Sequence, residues 1–180
     1  AQGDFDKLYS DALIVSSNIY AGGLFGMFGG NGSTIDDCWF NGRVENTATG
    51  VTQSGGIAGI VYRSNTTMTN CLNTGVLDVS KSTQEFPKAG GFVGDSYNSN
   101  TDIVTSINAG TIKTADTAKH GGSVVGWISS GTVKSIHTYA YGADYVIGKI
   151  NSGSFLVTFT SGGATTEDLN RTTNYQTVPA

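Results

Sequence analysis

The sequence predicts an all-β protein: a right-handed parallel β-helix (β-solenoid) of about four coils, ~33 residues each, with a C-terminal cap. Three observations predict it. Glycine is abundant (26 of 180 residues) and proline scarce (2), and β-branched residues abound, a composition of strands and turns. A Gly-Gly element followed sixteen residues later by Cys or Ser recurs three times, at steps of 33 and 35 residues. No copy carries a strand long enough to bury itself, so the copies must stack to share a core.

The chain opens on a half repeat, Asp6 to Val15, in which DKLYSDALIV aligns with NCLNTGVLDV (Asn70 to Val79). Repeats 22–53, 55–88 and 90–119 follow, opened by Gly22-Gly23, Gly55-Gly56 and Gly90-Gly91. Cys38, Cys71 and Ser106 are their reference positions. Ile35, Met68 and Ile103 stand three residues earlier, Trp39, Leu72 and Ile107 one later, and Val44, Leu77 and Ile112 six later. A looser repeat, 122–143, has GSVVG for GGxxG, with Val133 and Ile136 in the places of the Ile and the Cys. Residues 1–143 thus form the repeat domain. In the capping segment, 144–180, Phe155 to Thr160 reads as a strand and Thr166 to Leu169 as a short helix with Thr166 as N-cap. A cap is needed because a bare sheet end invites aggregation.

Parallel stacking puts equivalent residues ~4.8 Å apart. Gly26, Gly59, Gly94 and Gly126 then suit sharp corners or close backbone approach. Gly42, Gly75 and Gly110 follow Asn41, Asn73 and Asn108 and read as left-handed turn positions. Trp39, Tyr62, Tyr97, Trp127, Tyr139 and Tyr141 are aromatics that can line a lateral surface for stacking on sugar rings or packing against a partner, but Trp39 aligns with Leu72 and Ile107 and reads as core. Loops after Val44, Leu77 and Ile112 vary and gather on one side of the stack. A closed ring of antiparallel blades is the competing architecture. The terminal half repeat favours a linear stack, cut from a longer polypeptide.

Charge narrows the function classes. The formal net charge is −4 and no cluster of Lys or Arg exists, so a nucleic-acid footprint is absent. No apolar run approaches the ~20 residues of a membrane span. No HExxH, P-loop or Ser-His-Asp spacing occurs, and no metal or cofactor is expected.

The elements GGLFG, GGIAG and GGFVG, followed by IDDCWFNG and MTNCLNTG, resemble the GLUG-motif repeats. The likeness covers roughly Asp6 to Ala143, with Asp37, Ser106 and the loose fourth copy as departures. It implies a β-solenoid module of bacterial cell-surface or secreted proteins, adhesins among them. It carries over no catalytic residue, because the motif contains none.

Cys38 and Cys71 share a repeat position and read as stacked buried thiols, with a distorted disulfide as the alternative. His120 and His137 fall at no metal-ligand spacing and read as surface or packing residues. Glu45, Asp78 and Lys113 share another position. A carboxylate pair ~5 Å apart has the retaining-glycosidase spacing, so Glu45 and Asp78 carry the alternative reading of a polysaccharide lyase or hydrolase. Tyr62 and Tyr97 are the candidate binding residues, aromatic and outside the core ladders. Gly22, Gly23, Gly55, Gly56, Gly90, Gly91, Cys38 and Cys71 are read as structural. The expected function is a non-enzymatic extracellular module for adhesion or spacing, meeting host or cell-surface glycan or protein through its loops.

Overall fold

A computed structural model describes residues 1–115, 121–140, 145–161, 164–171 and 176–177. The chain winds as a parallel β-solenoid of about four turns, without a helix among those residues. None of it is therefore a helix long and apolar enough to cross a membrane. The first sheet stacks Phe5–Asp6, Ser33–Asp36, Asn65–Thr69, Ser99–Val104, Gly131–Ile136 and Ser154–Ser161. The second stacks Tyr9–Ser10, Trp39–Phe40, Leu72–Asn73, Ile107–Asn108 and Tyr139–Ala140. The third stacks Leu13–Ser16, Arg43–Asn46, Val76–Asp78 and Thr111–Lys113. The last is folded at the Gly-Gly corners. Tyr20–Gly22, Gln53–Gly55 and Lys88–Gly90 make one wing; Phe25–Phe28, Ala58–Tyr62 and Val93–Tyr97 make the other; Gly122–Ile128 joins both.

Alternation sorts the side chains. In Asn65–Thr69, Thr66 and Met68 are buried while their neighbours face outward. Phe5, Ile35, Met68, Ile103, Ser135 and Val157 form one ladder, so successive turns consume 30, 33, 35, 32 and 22 residues. The core is lined by Phe28, Phe40, Ile57, Phe92 and Phe155, all fully buried. Loops of successive turns also stack on one side: Thr83 N donates to Thr49 O at 2.9 Å and Ser82 Oγ to Gly50 O at 3.0 Å.

The Gly-Gly and Asn-x-Gly elements prove to be one device. Asn73 Nδ2 donates to Gly91 O of the next corner at 2.9 Å and to Asn108 Oδ1 at 2.7 Å, while Asn73 Oδ1 accepts from Gly75 N at 3.0 Å. Asn108 repeats the pattern with Ser123 O and Gly110 N, at 2.9 and 3.2 Å. A Cβ on Gly56 would lie 2.4 Å from Asn73 Nδ2, and one on Gly91 2.3 Å from Asn108 Nδ2. The second glycine of each pair therefore admits the amide that the following turn supplies. In the first turn Phe40 takes that place against Gly23.

Several registers and conformations differ from the sequence reading. Tyr9 pairs with Trp39, and Trp39 with Leu72, so Leu8 holds the reference position and the half repeat is slipped by one residue. Matching Leu8 to Leu72 by identity concealed this. In the fourth copy Ile103 pairs with Ser135, and Thr138, beside Tyr139, takes the reference position from Ile136. That two-residue shift keeps every side chain on its own face, so the apolar pattern cannot reveal it. Gly42, Gly75 and Gly110 are not left-handed. Instead Lys7, Asp37, Asn70, Thr105 and His137, each just before a reference position, have φ of 45° to 56°. Gly75 and Gly110 are required by close approach, since a Cβ there would meet Gly42 O at 2.6 Å and Gly75 O at 2.4 Å.

Tyr145–Ile150 and Ser154–Ser161 still stack in parallel on the preceding turn, and past Ser161 the direction of pairing changes. Ala164–Arg171, in place of the expected helix, is a strand antiparallel to Ser154–Ser161. The unpaired edge of that strand and the β-branched Thr165 and Thr166 outweigh a cap-and-acid signal. Gln176–Thr177 pairs antiparallel with Tyr145–Ile150. His120, Tyr141 and Ala143 lie outside the described residues.

Candidate functional site

The reference ladder shows why Cys, Ser and Thr interchange. Each bends back, after a left-handed residue, to give a weak or strong donor to the carbonyl two residues earlier. Cys38 Sγ reaches Asp36 O at 3.0 Å, Cys71 Sγ Thr69 O at 3.4 Å, Ser106 Oγ Val104 O at 2.8 Å and Thr138 Oγ1 Ile136 O at 3.2 Å. Links to the preceding turn, such as Cys71 Sγ to Ile35 O at 3.5 Å and Thr138 Oγ1 to Ile103 O at 3.0 Å, bind the stack. Both cysteines are buried free thiols. Burial pushes the Cys38 thiol up and the Cys71 thiol up from 9.0 to about 12.

A titration follows from that shift. In the unfolded chain the Cys71 thiol ionises near its ordinary value, whereas the folded chain holds it neutral. Its contribution to stability is fully present below pH ~9 and lost as pH rises through the folded value, because there the folded state binds more protons. Cys71→Ser, copying Ser106, is expected to flatten the fall in urea midpoint between pH 8.5 and 10.5. Equal slopes for both proteins would contradict this. Cys71 of the native protein is also expected to resist thiol alkylation at pH 8 until denaturant is added.

Glu45, Asp78 and Lys113 are neighbours in register, as expected. Arg43 bridges the two carboxylates: Nε lies 2.5 Å from Glu45 Oε1 and an amino group 2.7 Å from Asp78 Oδ2. Burial opposes ionisation of Asp78, but the Ser80 hydroxyl and amide and the Arg43 guanidinium outweigh it and hold its carboxyl below the ordinary range. A general acid needs the opposite shift. Asp78 is thus unsuited to protonate a leaving group, while its ionised form is paired.

Tyr62 and Tyr97 pair in register and stack face to face, with centroids 5.3 Å apart and planes 9° from parallel. The Arg63 guanidinium carbon lies 5.1 Å from the Tyr62 ring centre. Their inner faces cover one another, leaving the edges and one outer face of the pair.

One group escaped the sequence reading and a second was placed on the wrong side. The first is a buried ionic cluster. Asp95, with a fully buried side chain, accepts from Gln53 Nε2 at 2.8 Å, Lys88 Nζ at 2.6 Å and Ser129 Oγ at 2.8 and 2.9 Å. Lys88 and Lys149 place their ammonium groups 5.0 and 4.6 Å from the Trp127 ring centre, and Phe86 meets that ring edge-on. The missed signal was a carboxylate in an apolar ladder, since Asp95 pairs with Ile60 and Trp127.

The second is the face carrying Trp39. Alignment with apolar residues suggested core, yet Trp39 is 39 % exposed, Ile107 44 %, Tyr9 54 % and Tyr139 60 %, with Leu72 half-buried. Their strands are two residues long, and the inward position belongs to Phe40, Asn73 and Asn108. The row is therefore an outward ladder along the solenoid. Asp6, Asp36 and Asp37 meet near its start, with one carboxylate oxygen each within 4.8 Å of one another, and Lys7 Nζ lies 2.7 Å from Asp6.

No protein-family model, curated protein or solved structure matches this chain.

Proposed function

We propose that the chain is a non-enzymatic β-solenoid module of a bacterial cell-surface or secreted protein, serving adhesion or acting as a rigid spacer. Its partners are a host or cell-surface glycan or protein, and it works outside the cell as part of a longer polypeptide. The observation that carries the reading is the arrangement of the charged groups. Glu45 and Asp78 are bridged by Arg43, Asp95 is paired with Lys88, and Asp102 lies 3.7 Å from Lys134. These groups tie one turn to the next or to its own neighbours, and the Asp78 carboxyl is held below the ordinary range, the opposite of what a general acid needs. The resemblance of Asn70 to Gly75 (NCLNTG) to GLUG repeats supports the same reading.

The competing class is a carbohydrate-active β-helix enzyme using Glu45 and Asp78. A screen of polysaccharides for release of reducing ends, paired with a glycan array, separates the two. The module reading expects retention without product. Release of product that Asp78→Asn abolishes would overturn it.

A further inference from the structure

The outward ladder Tyr9, Trp39, Leu72, Ile107 and Tyr139 runs through five successive strands of one sheet, all in parallel register. Exposed apolar residues scattered singly need no explanation, but a continuous row of them marks an interaction surface. Tyr9 and Trp39 lie with ring centroids 4.9 Å apart and planes tilted by 55°. Trp39 is pinned: its Nε1 donates to Thr74 Oγ1 at 2.9 Å, and that hydroxyl donates to Asn41 Oδ1 at 2.6 Å. Thr105 Oγ1 likewise donates to Asn70 Oδ1 at 2.6 Å. A side chain already ordered loses little entropy on binding.

Size and charge select the occupant. Five rungs spaced ~4.8 Å apart make a row about 19 Å long and one side chain wide, roughly 200 Å². A stable protein interface needs about 800 Å² on each partner, so the row is too narrow for a lasting dimer of this chain. It suits a slender linear ligand. Around Leu72 and Ile107 the bordering residues are Asn70, Thr74, Thr105 and Ala109, all uncharged. Lys7 and Asp37, opposite in sign, border the Tyr9–Trp39 end. With Asp6, Asp11 and Asp36 also close by, that end is net acidic and disfavours an anionic polymer, while the rest of the row carries no charge to hold a cationic one. Apolar faces flanked by amides and hydroxyls match a pyranose, whose ring face is apolar and whose rim carries hydroxyls.

We propose that this ladder binds a single neutral polysaccharide chain lying along the solenoid axis, its sugar rings against Tyr9, Trp39 and Tyr139 and its hydroxyls bonded to the Asn and Thr borders. The inference deepens the module reading and rests on it, but moves the contact from the loops to a flat side of the stack.

Affinity electrophoresis through hydroxyethyl cellulose and through mixed-linkage β-glucan, with polygalacturonate as the anionic counterpart, tests it. The expected result is retardation by at least one neutral polymer and none by polygalacturonate. Trp39→Ala and Tyr139→Ala should each weaken binding at least tenfold, while Val15→Ala, exposed on another sheet, leaves it unchanged. Should Trp39→Ala unfold, Tyr139→Ala together with Ile107→Gln gives the same readout in a variant whose melting is checked separately. Equal binding by wild type and ladder variants overturns the inference, as does loss of binding in Val15→Ala alone. So does a dimer, seen by sedimentation, that Tyr139→Ala dissolves. Absence of retardation by either neutral polymer, with a hit elsewhere on a glycan array, overturns the inference and leaves the module reading standing. Release of reducing ends would instead overturn the module.

Discussion

Asp95→Ala is expected to lower stability by about 3–5 kcal/mol, the scale on which removing one member of a buried ion pair acts. The Asp95 side chain is fully buried and that of Lys88 only 19 % exposed, so the substitution strands an ammonium that little water reaches. It also leaves Gln53 Nε2 and Ser129 Oγ without the acceptor they share. Urea denaturation followed by far-UV circular dichroism measures the loss. The double variant Asp95→Ile with Lys88→Met should recover most of it, because Ile60 already fills the equivalent place one turn earlier and a buried pair is readily replaced by apolar residues of like volume. A single variant within 1 kcal/mol of wild type would show that the cluster is solvated and its packing inessential.

Gly91→Ala is the second large effect. Overpacking a tight core usually costs about 1–3 kcal/mol, and this site belongs at or above the upper end. A Cβ there would sit 2.1 Å from Ser123 O and 2.3 Å from Asn108 Nδ2, one a backbone atom of the next strand and the other an amide fixed at both ends. Neither can swing aside. Adding Asn108→Ala removes the amide but not the carbonyl, so the double variant is expected to stay unstable. Gly50→Ala is the control. No atom lies within 4 Å of its added Cβ, and limiting the unfolded chain should raise stability by about 0.4–1 kcal/mol. If Gly91→Ala and Gly50→Ala melt alike, the coupling of corner to amide is wrong.

The parallel stack was legible because repetition multiplies a weak signal: Ile35, Met68 and Ile103, or Gly22, Gly55 and Gly90, agree where one copy alone would say little. Register within the stack was legible only where such identities held. At Leu8 a matching leucine drew the half repeat one residue out of place, and at Thr138 the period-two pattern hid a shift of two. The exposed ladder was legible only in part, with Trp39 and Tyr139 readable as lateral aromatics but their side undecided, for a different reason. A two-residue strand such as Trp39–Phe40 has no alternation from which to infer a side, and apolar identity alone does not say inward. Asp95 escaped because it recurs in no other copy. The adjacency of Glu45 and Asp78 was foreseen, but Arg43, two positions earlier, repeats in no neighbour and its bridging role lies in side-chain geometry.

The spacing of the turns has a kinetic consequence. Ile35, Met68 and Ile103 touch only after intervening segments of 33 and 35 residues have been closed into loops. No hairpin among residues 1–115 offers a cheaper first step, since every strand pair there is parallel. Within residues 1–115 the entropy of closing one turn must be met before any ladder rewards it. The first pair of turns is then the nucleus, wherever along the chain it forms, and each later turn is laid on a template already made. Refolding should be slow, governed by that first closure, and thereafter spread outward one turn at a time.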